Sequence, residues 1–387
     1  MKLGFLDPLL HTPGPWASVY FGTTRTTEDA AARQALHARA ACERLTAQGA
    51  DNATCQALYA ELTTPTPQLP GRALFAADGA VRLDVPLATP PAQPESCWTW
   101  LPHTGPLLDY AGPDPSCLVA YVDHTGAGLE LYDAQGRRTA GEVRGEDRPV
   151  QRTASSVRPE RRSQLAVENT WEENAARTAE SVAAKAAETG AEFVVLAGDP
   201  RERRAVRDRL PRRLRAAAVE TSRAARAAGA EAGRRMPHAE LDELRAEQAH
   251  ARAEEALQRF RAGRVPTGGR IDAAEGVPAL IDAAREHRIE ALLVRSGGSD
   301  LHRDVWVGPA PDQLALRRTD AQYLGEPRPS TARADDALIR SATATGADVI
   351  PLPEPDGRGA APVGGLGALL RWPYKGGLPG GGRPREV

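Results

Sequence analysis

The hexapeptide FVVLAG (193–198) constrains the fold of this 387-residue chain more than any other stretch. It is an unbroken, β-branched apolar run too short for a helix, so it reads as a strand covered on both faces. Its surroundings supply the covers. Residues 165–189 have helical spacing, with Trp171, Ala175, Val182 and Ala186 expected as the buried stripe and Gly190 just past the end. PRERRAVRDRLP, directly after the strand, is a short helix with proline at its start and its end. A further strand is expected at 216–220, so this region is layered α/β.

The alternation returns later in the chain. A helix at 274–286 precedes EALLV (290–294) and DVWVG (304–308), and a helix at 333–345 leads to ADVIPL (347–352) and GGLGALLRW (364–372). The first hundred residues are mixed. ASVYF (17–21) reads as a strand, 26–62 as two helices using Leu36, Leu45, Leu58 and Leu62, and RALFA, VRLDV and CWTWL as short strands between Pro-rich turns. CLVAYVDHTGAGLELYD (117–133) reads as a hairpin, and a long polar helix runs from Pro237 to about Gly263. A chain of this length exceeds one ordinary core. The expected division is 1–111, mixed α/β; 112–263, with an Arg-rich loop at 144–164; 264–373, α/β; and a tail, 374–387, with nothing apolar to pack.

Charge is segregated although the total is only -2. All but three of the 49 basic residues are arginine, so arginine abundance by itself says little and only clustering counts. Arg137 to Gln164 holds eight arginines against four acids, and Arg201 to Arg226 holds ten against three. The stretch 168–192 between them carries six acids, of which Glu168, Glu172 and Glu173 complement the amino-terminal dipole of its helix. Guanidinium forks on loops and helix starts suit phosphate contacts, while arginine–glutamate surface pairing is the plainer reading.

Ordinary catalytic motifs are missing. TGGR (267–270), SGGS (296–299) and GGLG (364–367) lack the P-loop lysine and the dinucleotide spacing, and no nucleophile elbow occurs. Asp123-His124-Thr125 could be a dyad, but its place in a hairpin turn favours local backbone bonding. Cys42, Cys55, Cys97 and Cys117 have no metal-ligand spacing and read as reduced thiols, so no metal or cofactor is expected. MKLGFLDPLLHTPGPW is broken by Asp7 and Pro8, and no apolar run reaches membrane-spanning length. A cytoplasmic protein without a membrane partner is expected.

The blocks CLVAYVDHTGAGLELYD, ENTWEENAARTAESVA and FVVLAGDPRERRAVRDRLP together resemble the bacterial relatives of the archaeo-eukaryotic class I release factors. GPWASVYF near the start and ARADDALIRSATATGADVIPL and GGLGALLRW near the end extend the resemblance over roughly 3–373. That family is similar to Pelota, to the Vms1-type peptidyl-tRNA hydrolases and to the hibernation factor Balon. The resemblance implies three α/β domains: the middle one ribonuclease-H-like, the last α/β/α-layered as in kink-turn-binding ribosomal proteins. It also implies occupation of the ribosomal A site, against rRNA, with the middle-domain loop directed toward P-site tRNA.

In release factors the equivalent loop carries Gly-Gly-Gln, which positions water against the peptidyl-tRNA ester. This chain has no Gly-Gly-Gln; Gln164 fits the downstream glutamine, but Ser156, Val157, Arg158, Pro159 and Glu160 stand where glycines belong. Glycine permits positive φ and close backbone approach, whereas Val157 and Pro159 remove much of that freedom. The expectation is therefore binding without hydrolysis, in hibernation or stalled-ribosome handling. Arg152, Arg158, Arg161, Arg162, Arg203, Arg204 and Arg207 are the expected RNA contacts. Two alternatives stand: a peptidyl-tRNA hydrolase using Gln164, and an adaptor whose 237–263 helix meets a translational GTPase.

Overall fold

The computed structural model describes residues 3–23, 30–64, 69–112, 115–133, 136–145, 160–221, 236–266, 270–353 and 361–375, with the backbone alone for 160–169. The chain forms two compact units, Met1–Gly112 together with His250–Val387, and Pro113–Ala249.

The first unit begins with α1 (Asp7–Leu10), β1 (Trp16–Gly22), α2 (Ala30–Ala47), α3 (Asn52–Thr63), β2 (Gly71–Ala77), β3 (Ala80–Leu87), β4 (Glu95–Thr99) and α4 (Leu107–Tyr110). Its antiparallel sheet has the order β3-β2-β1-β4. Alternation along β1 sends Ala17, Val19 and Phe21 toward Leu45, Leu58 and Leu62 of the two long helices. Trp16 and Tyr20 go to the opposite face with Phe75.

The second unit holds β5 (Cys117–Asp123), β6 (Gly126–Asp133), β7 (Gly136–Arg144), α5 (Glu160–Thr189), β8 (Phe193–Gly198), α6 (Pro200–Arg209), α7 (Arg212–Ala216) and β9 (Ala218–Thr221). The sheet order is β7-β6-β5-β8-β9, with an antiparallel meander on one side and the parallel strands β5, β8 and β9 on the other. This is ribonuclease-H topology. The FVVLAG strand lies between β5 and β9. Its Val194 and Leu196 pack under Val182 and Ala186 of α5 and Val206 of α6. Phe193 and Val195 pack on the other face with Met236 and Leu241. Helix α8 (His238–Gly263) contains the boundary between the units.

The first unit resumes with β10 (Arg270–Glu275), α9 (Val277–Arg285), β11 (Ile289–Val294), β12 (Asp304–Val307), β13 (Leu314–Ala315), α10 (Arg318–Tyr323), β14 (Ser330–Arg333), α11 (Ala334–Ala344), β15 (Asp348–Pro351) and β16 (Leu366–Lys375). The sheet β10-β16-β11-β15 is covered on one face by Ala253, Ala256 and Phe260 of α8. Leu280 of α9 and Leu338 of α11 cover the other. The α/β/α layering implied by the resemblance is present. A second small sheet, β13-β12-β14, is inserted between β11 and α11.

Several elements differ from the sequence reading. Strand β7 was not read as an element, because GRRTAGEVR has no apolar periodicity; it is an edge strand half-buried only at Gly136, Ala140 and Val143. Strand β10 lies where a helix was expected to begin, and Gly276, at φ 81°, separates it from α9. The one-turn helix α7 and most of the small sheet were too short to leave a periodic signal.

Residues 1–112 and 250–387 share one core. Trp16, Tyr20, Phe75 and Leu107 belong to the same buried cluster as Val277, Leu292, Val305 and Leu338. A polar lock accompanies it. The Asp336 carboxylate in the first turn of α11 accepts hydrogen bonds from Thr104 N at 2.8 Å, Gly105 N at 3.1 Å and His103 Nδ1 at 2.9 Å. Beside it, Asp335 receives Arg333 through Nε at 3.0 Å and Nη2 at 2.6 Å. Both carboxylates are almost fully buried, at 1% and 3% exposure for Asp335 and Asp336.

Burial opposes the charged imidazole of His103, but the Asp336 charge and hydrogen bond outweigh it and raise the group above its ordinary 6.5. Burial, then the adjacent Asp336 charge, raises Asp335 as well, against the pull of Arg333. A group whose folded pKa is raised binds more protons folded than unfolded, so its contribution is full below the unfolded pKa and lost as pH rises through the folded one. Tm should therefore decline as pH rises from about 6.5 through the raised histidine pKa, and His103→Asn should flatten that decline in thermal unfolding. Asp336→Ala leaves three donors unmatched and should cost about 2–4 kcal/mol in denaturant unfolding.

Candidate functional site

The segment expected to act lies between β7 and α5, and its two roots are described. At the first, Gly145 N donates to Thr125 O in the turn between β5 and β6. A Cβ on Gly145 would lie 2.1 Å from Asn174 Oδ1, so only glycine fits against this helix side chain. Asn174 Nδ2 in turn donates to His124 O at 3.0 Å. The turn itself is closed by Asp123, whose Oδ1 accepts from Thr125 N at 2.8 Å, Thr125 Oγ1 at 2.6 Å and Gly126 N at 3.0 Å. Asp123 thus serves the backbone, and the turn reading of Asp123-His124-Thr125 holds.

The second root is the start of α5. The helix opens at Glu160, five residues earlier than expected, so Arg161, Arg162 and Gln164 lie within its first two turns. Only the first four N–H groups of a helix lack an internal partner. The backbone N–H of Gln164, the fifth residue, belongs to the helix ladder. Arg152 and Arg158 lie outside the described residues.

The buried face of α5 also differs from expectation. Trp171 is 45% exposed, while Thr170, Asn174 and Thr178 are buried with Ala175, Ala179, Val182 and Ala186. The asparagine's bond to the turn and its contact with Gly145 set this rotation. An asparagine inside a long helix costs propensity, and that was the available sequence signal for the anchor.

The arginine clusters divide into committed and open members. On β7, Arg137 Nη2 meets Glu130 Oε1 at 3.0 Å, Arg144 meets Glu142 at 3.0 Å, and Arg138 pairs with Asp133. Glu130 is buried and also accepts from Tyr121 and Tyr132, at 3.2 and 3.0 Å. In the second cluster, Asp199 caps α6 by accepting from Arg201 N at 2.8 Å. Arg203 is 6% exposed with Nη1 4.0 Å from Glu220, and Arg207 Nη1 lies 3.1 Å from the same carboxylate. Expected as phosphate contacts, these two instead fasten α6 to β9. Burial placed Arg203 there, since the helix has Arg203 and Val206 on its inner face, while Arg207 reaches the carboxylate from a part-exposed position. Arg209 approaches Glu172 of α5 at 3.7 Å. Arg201, Arg204, Arg212 and Arg213 are exposed and have no ion pair among the described residues.

Thiol chemistry is unfavourable here. All four cysteines are free. Burial pushes Cys42 up to about 11 and Cys97 and Cys117 up to about 12. Among the described residues no helix is long and apolar enough to cross a membrane.

The central unit thus has a ribonuclease-H sheet with an Arg-rich stretch of sequence between its third strand and its first long helix. Residues 116–265 match the model of bacterial archaeo-eukaryotic release factor family 2, and this central part of the chain is release-factor-like. Over 372 residues the chain is 28% identical to protein Rv2629 of Mycobacterium tuberculosis (strain H37Rv), covering 94% of this chain and 95% of that one. The archaeal translation termination factor aRF1 is similar at 15% identity, covering 93% of each chain, with a TM-score of 0.23. A ribosome-bound archaeal Pelota is similar at 14% identity over 97% of this chain and 95% of its own, with a TM-score of 0.39. Superpositions at that level add nothing to the assignment, which rests on the match of the central residues.

Adding a methyl at Gly145 should cost about 1–3 kcal/mol, because the neighbouring asparagine is itself bonded and cannot yield freely. Asn174→Ala removes both the obstacle and the bond to His124 O. In urea unfolding, the double variant should be more stable than Gly145→Ala alone, a coupling that contact between the two positions requires.

Proposed function

We propose that the protein is a ribosome-associated translation factor that occupies the A site, in hibernation or stalled-ribosome handling, and does not itself hydrolyse peptidyl-tRNA. The reading rests on one combination: a central domain matching the release-factor family, without Gly-Gly-Gln in the chain. The geometry at Gln164 favours it. A glutamine inside a helix has its amide committed to the ladder, so it offers no backbone donor to an oxyanion. Binding needs cations that can reach phosphates; the exposed Arg201, Arg204, Arg212 and Arg213 support this, and Arg152, Arg158, Arg161 and Arg162 add to the count in the sequence. In this position the Arg-rich segment would approach P-site tRNA, and a translational GTPase would deliver the factor.

Co-sedimentation of the purified chain with 70S ribosomes across a salt series tests the proposal. Binding should weaken by about 0.7–0.9 log units per log of salt for each neutralised phosphate. Arg204→Ala with Arg213→Ala should reduce that slope by about one to two phosphates. Absence from the ribosomal pellet at low salt would overturn the reading. Peptide release from P-site tRNA should stay at background for the native chain and for Gln164→Ala; release by the native chain that the substitution abolishes would establish the hydrolase instead.

A further inference from the structure

The first unit contains a groove that the release-factor reading does not use. It encloses about 520 Å³ between the end of β4 and the small sheet. Trp98 and Trp100 line one wall and Trp306 the other. Half of the chain's six tryptophans thus meet in one place, and all three are only partly buried. Trp98 and Trp100 each pack in part against a core cluster, while Val305 and Val307, each 1% exposed, fill the inner face of the strand that carries Trp306.

Strand alternation puts Asp304 beside Trp306 on the groove face. Across the ladder Trp306 faces Thr331 and Asp304 faces Arg333. That cross-strand position would ordinarily pair Asp304 with the guanidinium. Arg333 instead turns its fork to Asp335, at 3.0 and 2.6 Å. Arg333 is the one cation among the groove's lining residues, and its guanidinium is committed. Arg318, outside that lining, stands 5.9 Å from the Trp306 ring centroid. Asp304 is exposed, with no ion pair or hydrogen bond among the described residues.

The uncommitted charge of the groove is therefore negative, and its walls are π faces. Aromatic faces attract cations through the ring quadrupole, tryptophan most strongly, and a carboxylate at the rim adds to that attraction. A phosphate would meet Asp304 with no uncommitted cation among the groove's lining residues to offset it. We propose that this groove binds an arginine- or lysine-bearing segment of a partner polypeptide, with the cationic side chain set between the tryptophans and its charge against Asp304. The guanidinium of Arg318 against Trp306 shows the same contact made within the chain. This inference is independent of the ribosome reading.

Calorimetric titration of the full chain with an acetylated, amidated peptide of alternating glycine and arginine tests it. A peptide carrying citrulline, isosteric but neutral, is the control. One arginine peptide should bind per chain and the citrulline peptide should not. Asp304→Asn and Trp306→Ala should each weaken binding by about tenfold, and Trp306→Phe by less. Thermal unfolding of each variant identifies any that fails to fold, and Asp304→Asn, at an exposed position, keeps the test decisive if Trp306→Ala does. Binding unchanged in Asp304→Asn would mean general attraction of a basic peptide to the surface, and the proposal would fall. It would also fall if the arginine peptide gave no heat, or if single-stranded RNA bound in a Trp306-dependent manner and the peptide did not.

Discussion

Asp336 holds together parts of the chain separated by more than two hundred residues. A buried carboxylate is tolerated only where every lone pair is answered, and here two backbone amides, an imidazole and a nearby guanidinium answer it. The position of α11 fixes that of residues 103–105, and with it the end of the first sheet. Apolar contact among Trp16, Phe75, Leu280 and Leu338 supplies most of the driving force, but such contact tolerates sliding. The carboxylate adds direction and so defines a unique seating for the surfaces it joins.

A comparable division operates in the central unit. Its sheet and helices pack through small aliphatic residues, and the end of β7 is tied to α5 by one polar anchor, Asn174 against Gly145 and the His124 carbonyl. The choice of Asn174 for the inner face turns Trp171 outward. Arg203 and Arg207 are likewise held by a single carboxylate, Glu220, so the basic cluster is part tie and part open surface.

Much of this architecture was legible in the sequence, because burial writes itself into periodicity. FVVLAG announced a strand covered on both faces, and Val194 and Val195 do go to opposite layers. Elements whose burial is slight left no such mark. GRRTAGEVR forms an edge strand with no apolar stripe, and β13 is two residues long. The site was legible by composition and not by orientation. Arginine clusters can be counted in a sequence, but whether a guanidinium faces solvent or a buried glutamate depends on helix rotation, and rotation was set by residues chosen for other contacts. The lock formed by His103 and Asp336 was invisible for a related reason: two groups so distant in sequence carry no local signature.

The shared core of the first unit also has a consequence for the order in which a nascent chain can complete itself. The central unit lies between the halves of that core in sequence, and it has core clusters of its own. During synthesis it can close while the face bearing Trp16, Tyr20 and Phe75 still lacks its cover, since α9 and α11 have yet to leave the exit tunnel. The sheet formed by β1 to β4 must wait, half-clothed, for elements made more than a hundred residues later.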